Sequence, residues 1–331
     1  MVLFFYVDDT HLIEPASSAD ECSAMFREVV QLLGWDLDPA KSIPMSKRVR
    51  SLGCVLSVGD GEVQWTLTAE KSAQWSDDIR ACLSARRLSR EEAGRMWGRL
   101  SFASQRVFGR VGRAALRPIE WHRRHGRSSS MSRRLVAALE WWLAYLSAGP
   151  ARTIKGREHV AAAPEWVLYT DAEGWGGVGA VLVHVASGAC QHIVSSVPRR
   201  VQRALLPRRT QINVFELLAV LMALESYGPA LSGCRVVCFV DNKAALGMLI
   251  KGWSRADDAN AIAAQCWWTM AALGIEIFWE YVPSKLNLAD GPSRSKAEEV
   301  LSLGSEVVEA NWSLCKMTCE EFASQRDVAR I

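Results

Sequence analysis

From residue 165 to residue 282 the chain reads as strand, glycine turn, strand, strand, and then as helices alternating with strands. "EWVLYTDAEGWGGVGAVLVHV" holds two apolar runs about a tight turn, and "ACQHIVSSV" adds a third. After the basic connection "PRRVQRALLPRRTQ" come the helix "INVFELLAVLMALESYG", the strand "RVVCFV", a short helix from "NKAALGMLI", the long helix "DANAIAAQCWWTMAALG" and the strand "IEIFWEYV". Strands joined by short turns pair antiparallel, whereas a strand reached through a helix lies parallel. The order predicts an α/β fold in which helices cover a mixed sheet.

The N-terminal part has a different texture. In "MVLFFYVDDTHLIEP", Leu3 to Val7 and Thr10 to Ile13 read as antiparallel strands, with Asp8 and Asp9 in the tight turn between them. Asp is common in turns for local hydrogen-bonding reasons, so the pair has a plain structural explanation too. A helix closed by Gly34 follows, then strands around "RSLGCVLSV" and "EVQWTL". Thr68 to Gly149 reads as helical: Ser89 and Glu92 have capping-box spacing, and Leu135, Leu139, Trp142 and Leu146 form an apolar stripe. "ARTIKGREHVAAAPE" breaks the pattern and is read as a linker. The expected organisation is 1–67, 68–150, a linker at 151–163, 164–297, and a helical or frayed tail at 298–331.

Composition narrows the setting. No segment reaches the roughly 20 consecutive apolar residues of a membrane helix, and the apolar start runs into two acids without a basic leader or cleavage site. Nine cysteines, an odd number without close pairing, suit a reducing compartment, so an intracellular protein with no membrane partner is expected. The net charge of +3 hides an asymmetry. Arg80 to Arg134 carries fifteen arginines, no lysine and three acids, a net +12 that leaves −9 for the remainder. Arg95, Arg99, Arg106, Arg110, Arg113 and Arg117 lie there among aromatic residues, a composition suited to phosphate contact and stacking, although a solvated helical face would look the same.

Four carboxylates stand at informative places. Asp171 ends the strand "WVLYT", Glu216 lies one turn into the helix after Asn213, Asp241 directly follows "RVVCFV", and Asp290 follows the last strand by a short loop. Each has an ordinary alternative: a turn acid for Asp171 or Asp290, the reciprocal partner of an Asn213 cap for Glu216, a helix cap for Asp241. Together they could meet at one end of the sheet, where active-site groups of such folds gather. Clustered carboxylates repel unless cations neutralise them, and hard oxygen ligands suit Mg2+ or Mn2+. Two such ions about 3.5 to 4 Å apart serve phosphodiester hydrolysis.

"YTDAEGWGGVGAVL", "NVFELLAVLMALE", "CFVDNKAAL" and "VPSKLNLADGPSR" resemble the successive acid-bearing motifs of the ribonuclease H domain of retroelement polyproteins, the last one especially those of DIRS-type and LTR-type elements. "FFYVDDTHLIE" resembles the YXDD motif of reverse transcriptase, "RVRSLGCVLS" its leucine-glycine primer-grip strand, and "GRLSFASQRV" the helical thumb and connection. The resemblance implies the C-terminal half of a palm, a thumb or connection, and a ribonuclease H-like domain with a mixed five-stranded sheet and flanking helices. It implies Asp171, Glu216, Asp241 and Asp290 as ligands of two Mg2+ ions hydrolysing the RNA strand of RNA/DNA hybrids. It further implies Asn242, Lys285, Asn287 and Arg294 as nucleic-acid contacts. Asp8 and Asp9 become metal ligands of a polymerase remnant that acts on template-primer. This chain begins shortly before Asp8, so polymerisation is expected only with an upstream polyprotein portion that supplies the fingers and the rest of the palm.

One departure stands out. Several branches of the family carry a histidine in the loop before the final aspartate; here the loop reads "VPSKLN", and no histidine follows His192. Lys285 stands there as a cation, not as a neutral base. Three readings compete: a retroelement nuclease, a relic that only binds nucleic acid, and a resolvase or transposase core.

Overall fold

The computed structural model describes residues 2–6, 9–40, 42–59, 61–107, 109–155 and 163–313. The apolar runs flanking the two aspartates form the antiparallel hairpin β1 (Val2–Tyr6) and β2 (Asp9–Ile13), with Tyr6 opposite Asp9. Asp9 opens β2 rather than sitting in the turn, and Asp8 lies outside the described residues. Helix α1 (Ala19–Leu32) follows, then β3 (Arg48–Ser51), β4 (Cys54–Gly59) and β5 (Glu62–Leu67). Leu52 and Gly53, read as part of a strand, form the two-residue turn between β3 and β4. Both have positive φ, 52° and 74°, as a tight hairpin turn requires.

Four helices follow: α2 (Ala69–Ala85), α3 (Arg90–Arg106), α4 (Leu116–His125) and α5 (Arg133–Ser147). The expected capping box is present, with Ser89 N–H donating to Glu92 and Glu92 N–H to the Ser89 hydroxyl. Leu135, Leu139, Trp142 and Leu146 are all buried, joining Trp75, Ile79, Leu100 and Ile119 in one apolar core. The stretch read as a linker departs from expectation. It begins with β6 (Ala151–Lys155), which pairs antiparallel with β5 and completes a four-stranded sheet. The partners lie more than 80 residues apart in sequence, so no local pattern marks the pairing.

The second half carries the mixed sheet. Strands β7 (Trp166–Ala172), β8 (Gly177–His184) and β9 (Cys190–Ser196) form an antiparallel meander. The short basic helix α6 (Arg199–Ala204) leads to α7 (Ile212–Ser226), and α8 (Gly228–Leu231) to β10 (Arg235–Val240). Helices α9 (Lys243–Lys251) and α10 (Asp257–Leu273) precede β11 (Glu276–Tyr281), and α11 (Asp290–Ser293) follows it. β10 pairs parallel with both β7 and β11. Helix α7 is buried continuously from Val214 to Glu225, as a helix apolar on all sides must be. It lies between the sheet and α10.

To the five expected strands the chain adds a sixth. After α12 (Glu298–Ser302), the two-residue β12 (Glu306–Val307) pairs parallel with β9, giving the order β11-β10-β7-β8-β9-β12. Ser305 meets buried His192 at 2.8 Å, and Val308, Ala310 and Trp312 pack on the core. The tail expected to be helical or frayed thus begins with a helix and is part of the sheet unit as far as 313. No helix among the described residues is long and apolar enough to cross a membrane.

Candidate metal centre

The register of β7 and β10 sets the site. Val240 lies opposite Thr170 in this parallel pair, so the next residues, Asp241 and Asp171, leave neighbouring strands at the same level. Helix α7 crosses behind them and delivers Glu216 from its second turn. One carboxylate oxygen from each of Asp171, Glu216 and Asp241 lies within 4.8 Å of the other two. Asp171 and Glu216 are buried, and Asp241 is half-buried.

The ordinary alternatives do not hold for these three. Asp171 lies within β7, not in the turn. The cap of α9 is Asn242, whose Oδ1 accepts from the N–H groups of Ala244 and Ala245 at 3.0 Å, which leaves Asp241 out of capping. Asn213 lies inside α7, where its Oδ1 accepts from Asn242 Nδ2 at 2.9 Å, so it caps nothing that Glu216 could reciprocate.

Burial and mutual repulsion govern the electrostatics. Glu216 is pushed up to about 9, first by loss of water and then by Asp171 and Asp241. Asp171 is pushed up to about 7 by burial, held back by the Ser293 hydroxyl and raised again by Asp241 and Asp290. Glu216 Oε2 is buried with no hydrogen-bond partner. A buried oxygen without a donor, in a group of three acids, fits a divalent cation, because the cation supplies the missing partner and removes the repulsion together.

The fourth acid stands apart. Asp290 opens α11, and its Oδ1 accepts from Arg294 Nη2 at 2.8 Å and from Nε at 3.2 Å. Its charge still reaches Asp171, but its carboxylate is not among the three converging groups. Arg294, expected to touch nucleic acid, is thus tied to Asp290 one helical turn away. Asn287 is also occupied: buried, it donates from Nδ2 to Thr170 O at 3.0 Å and accepts from Ala289 N–H, which fastens the last loop to β7. Lys285 is exposed in a short turn.

Sequence reasoning missed Ser293. Its buried hydroxyl donates to Asp171 Oδ2 and fixes that carboxylate. Two glycines on one face of β8 permit the approach. A Cβ at Gly179 would stand 2.5 Å from Ser293 N, and one at Gly177 would stand 2.2 Å from Ser293 O. The alternation of Gly177 and Gly179 was the available signal for a backbone lying against the strand.

The arginine-rich block divides. Arg95 pairs with Glu91 at 3.7 Å and Arg99 with Asp78 at 2.6 Å. Arg110 and Arg117 lie over the rings of Trp267 and Trp253, and Arg113 donates to Lys251 O at 3.1 Å. These last three hold the helical block against α9 and α10 instead of facing open solvent. The side chain of Arg106 lies outside the described residues.

No protein-family model matches the sequence, and no curated protein matches it. Solved structures do. The N-terminal RNase H domain of rv2228c from Mycobacterium tuberculosis is 17% identical, with 43% of this chain and 99% of that domain covered and a TM-score of 0.30. RNase H1 from the archaeon Halobacterium salinarum is 18% identical, with 40% and 96% covered and a TM-score of 0.31. A foamy viral protease-reverse transcriptase in complex with an RNA/DNA hybrid is 15% identical, with a TM-score of 0.38. This chain is covered over 85% in that match and spans 35% of the viral chain.

Proposed function

We propose that this chain is a retroelement protein whose second half, residues 164–297 with the strand that follows, is a metal-dependent ribonuclease H cutting the RNA strand of RNA/DNA hybrids. The observation that carries the reading is the convergence of Asp171, Glu216 and Asp241 from two parallel strand ends and the buried helix α7. Residues 1–67 and 68–150 are the palm remnant and the thumb or connection of the same reading.

Asp171, Glu216 and Asp241 would hold the Mg2+ or Mn2+, with Asp290 at the margin. Bound there, the metal supplies an activated water and stabilises the leaving oxygen. Ser293 keeps Asp171 in one orientation, as a hydrogen-bonded carboxylate ligand requires. Arg294 holds Asp290 at the rim until substrate phosphate or a cation competes for either partner. Lys285 offers a charge to the scissile strand, and selectivity for RNA would come from contacts to the 2′-hydroxyl.

A strand-labelled RNA/DNA hybrid, a DNA duplex and an RNA duplex, each incubated with the full chain in Mg2+, test the reading. Cleavage of the hybrid's RNA strand alone, lost in Asp241→Asn, is the expected result. Binding of all three without cleavage would make the chain a nucleic-acid-binding relic, and cutting of the DNA duplex would place it with resolvase-type nucleases.

A further inference from the structure

The turn between β7 and β8 carries a tryptophan with almost no cover. Trp175 is 92% exposed, yet its backbone is fixed. Gly176 N–H donates to Glu173 O at 3.0 Å, and Glu173 N–H to Gly177 O at 2.9 Å. Helix α6 leans on this turn from one side. Val197 N–H donates to Gly176 O at 2.8 Å, and Gln202 Nε2 lies 3.0 Å from where a Cβ of Gly176 would stand.

Val201 buries the inner face of α6, which leaves Arg199 and Arg203, one turn apart, exposed on the outer face. Residues 198–211 hold five arginines and no acid. Of these, Arg208 is neutralised by buried Asp258, and Arg200 donates to Trp312 O. Arg199, Arg203 and Arg209 have no carboxylate partner among the described residues. The acid in the turn, Glu173, acts on Arg294 on the other side.

An uncovered indole on a hydrogen-bonded turn, next to a helix that carries unpaired guanidinium groups on its outer face, has the chemistry of a single-strand contact: a ring for a base face and cations for phosphates. Inside a duplex both faces of each base are covered, so Trp175 can stack only on an unpaired nucleotide or on the open face of a terminal pair, and an overhang offers it more faces than a blunt end. At about 3.3 Å per residue the turn lies roughly 10 Å beyond Asp171. That is the axial rise of about three base pairs of a duplex. We propose that Trp175, Arg199 and Arg203 hold a single-stranded extension of the nucleic acid whose paired part lies at the acid cluster. This rests on the ribonuclease H reading for the identity of the paired part.

The test compares binding of two fluorescein-labelled RNA/DNA hybrids, one blunt and one with an RNA overhang of about six nucleotides, to the full chain carrying Asp241→Asn, in Mg2+. The overhang should tighten binding by about tenfold, as one stacked base would. Adding Trp175→Ala should abolish that preference, and Trp175→Phe should retain most of it. Arg199→Ala with Arg203→Ala should weaken the overhang complex and lower its salt slope by about 1.4. An overhang preference that is absent, or that survives Trp175→Ala, overturns the proposal. If the wild-type chain still cuts the blunt hybrid in that case, the ribonuclease reading stands without it. Conversely, an overhang preference lost in Trp175→Ala in a chain that cuts nothing keeps the strand contact and removes the nuclease.

Discussion

Asp171 and Glu216 are buried acids that repel each other, and the direction of their shifts fixes how pH should act. An unfolded carboxyl ionises near pH 4, whereas these two hold protons up to about 7 and about 9 in the folded chain. Over that window the folded state binds more protons, so the contribution of these two groups to metal-free stability is full below about pH 4 and falls as pH rises through both values. Thermal unfolding in a chelator should show Tm dropping between about pH 5 and about pH 8. Mg2+ should raise Tm at the upper end and much less at the lower, because metal and protons compete for the same oxygens. A Tm in chelator that rises over this range would contradict the account. Ser293→Ala, which frees Asp171 to turn, should raise the Mg2+ concentration for half-maximal cleavage by about 10- to 100-fold. The three converging acids were readable because strand ends and residue type both pointed at them. Asp290 is held one turn away by Arg294, a pairing that the i,i+4 spacing of the two residues carries in the sequence. Ser293 stood in the last motif as part of its resemblance, but its partner Asp171, 122 residues away, was not legible there.

Helix α11 lies on β8 only because two side chains are missing there. Gly179→Ala would drive a Cβ into the backbone of Ser293, so the last motif would lift from the sheet. The expected cost is about 1 to 3 kcal/mol of stability with loss of cleavage, readable by denaturant unfolding beside an activity assay. A second element-level joint ties the connection before α7 to the start of α10. Asp258, 1% exposed, accepts from both Arg208 nitrogens and from Leu206 N–H. Arg208→Ala leaves that carboxylate buried without its cation and should cost about 3 to 5 kcal/mol, whereas Arg209→Ala, which removes an exposed charge, should change little. Most helices and strands were legible because their apolar periods are local. β6 and β12 were not: β6 finds its partner across four intervening helices, and β12 is only two residues long.

At the scale of the whole molecule, two apolar cores are joined through the arginine-rich block. Arg134 pairs with Asp257 at 2.6 Å, and Asn260 donates to Ala114 O at 3.2 Å. With Arg110 and Arg117 on tryptophans of the second half, the +12 segment is partly a fastening between halves. Its composition could not distinguish that role from nucleic-acid contact, since arginine serves both through the same stacking and donor geometry. The acid cluster at the end of the mixed sheet carries the proposed function, as a metal centre that hydrolyses RNA. The measurement that tests it most directly is the rate of RNA-strand cleavage in a labelled RNA/DNA hybrid against Mg2+ concentration, for the full chain and for Asp171→Asn. In the wild type the rate should rise with Mg2+ and saturate, and in the variant it should fall by at least about 100-fold. Equal rates in the two proteins, or a rate indifferent to chelation, would contradict it.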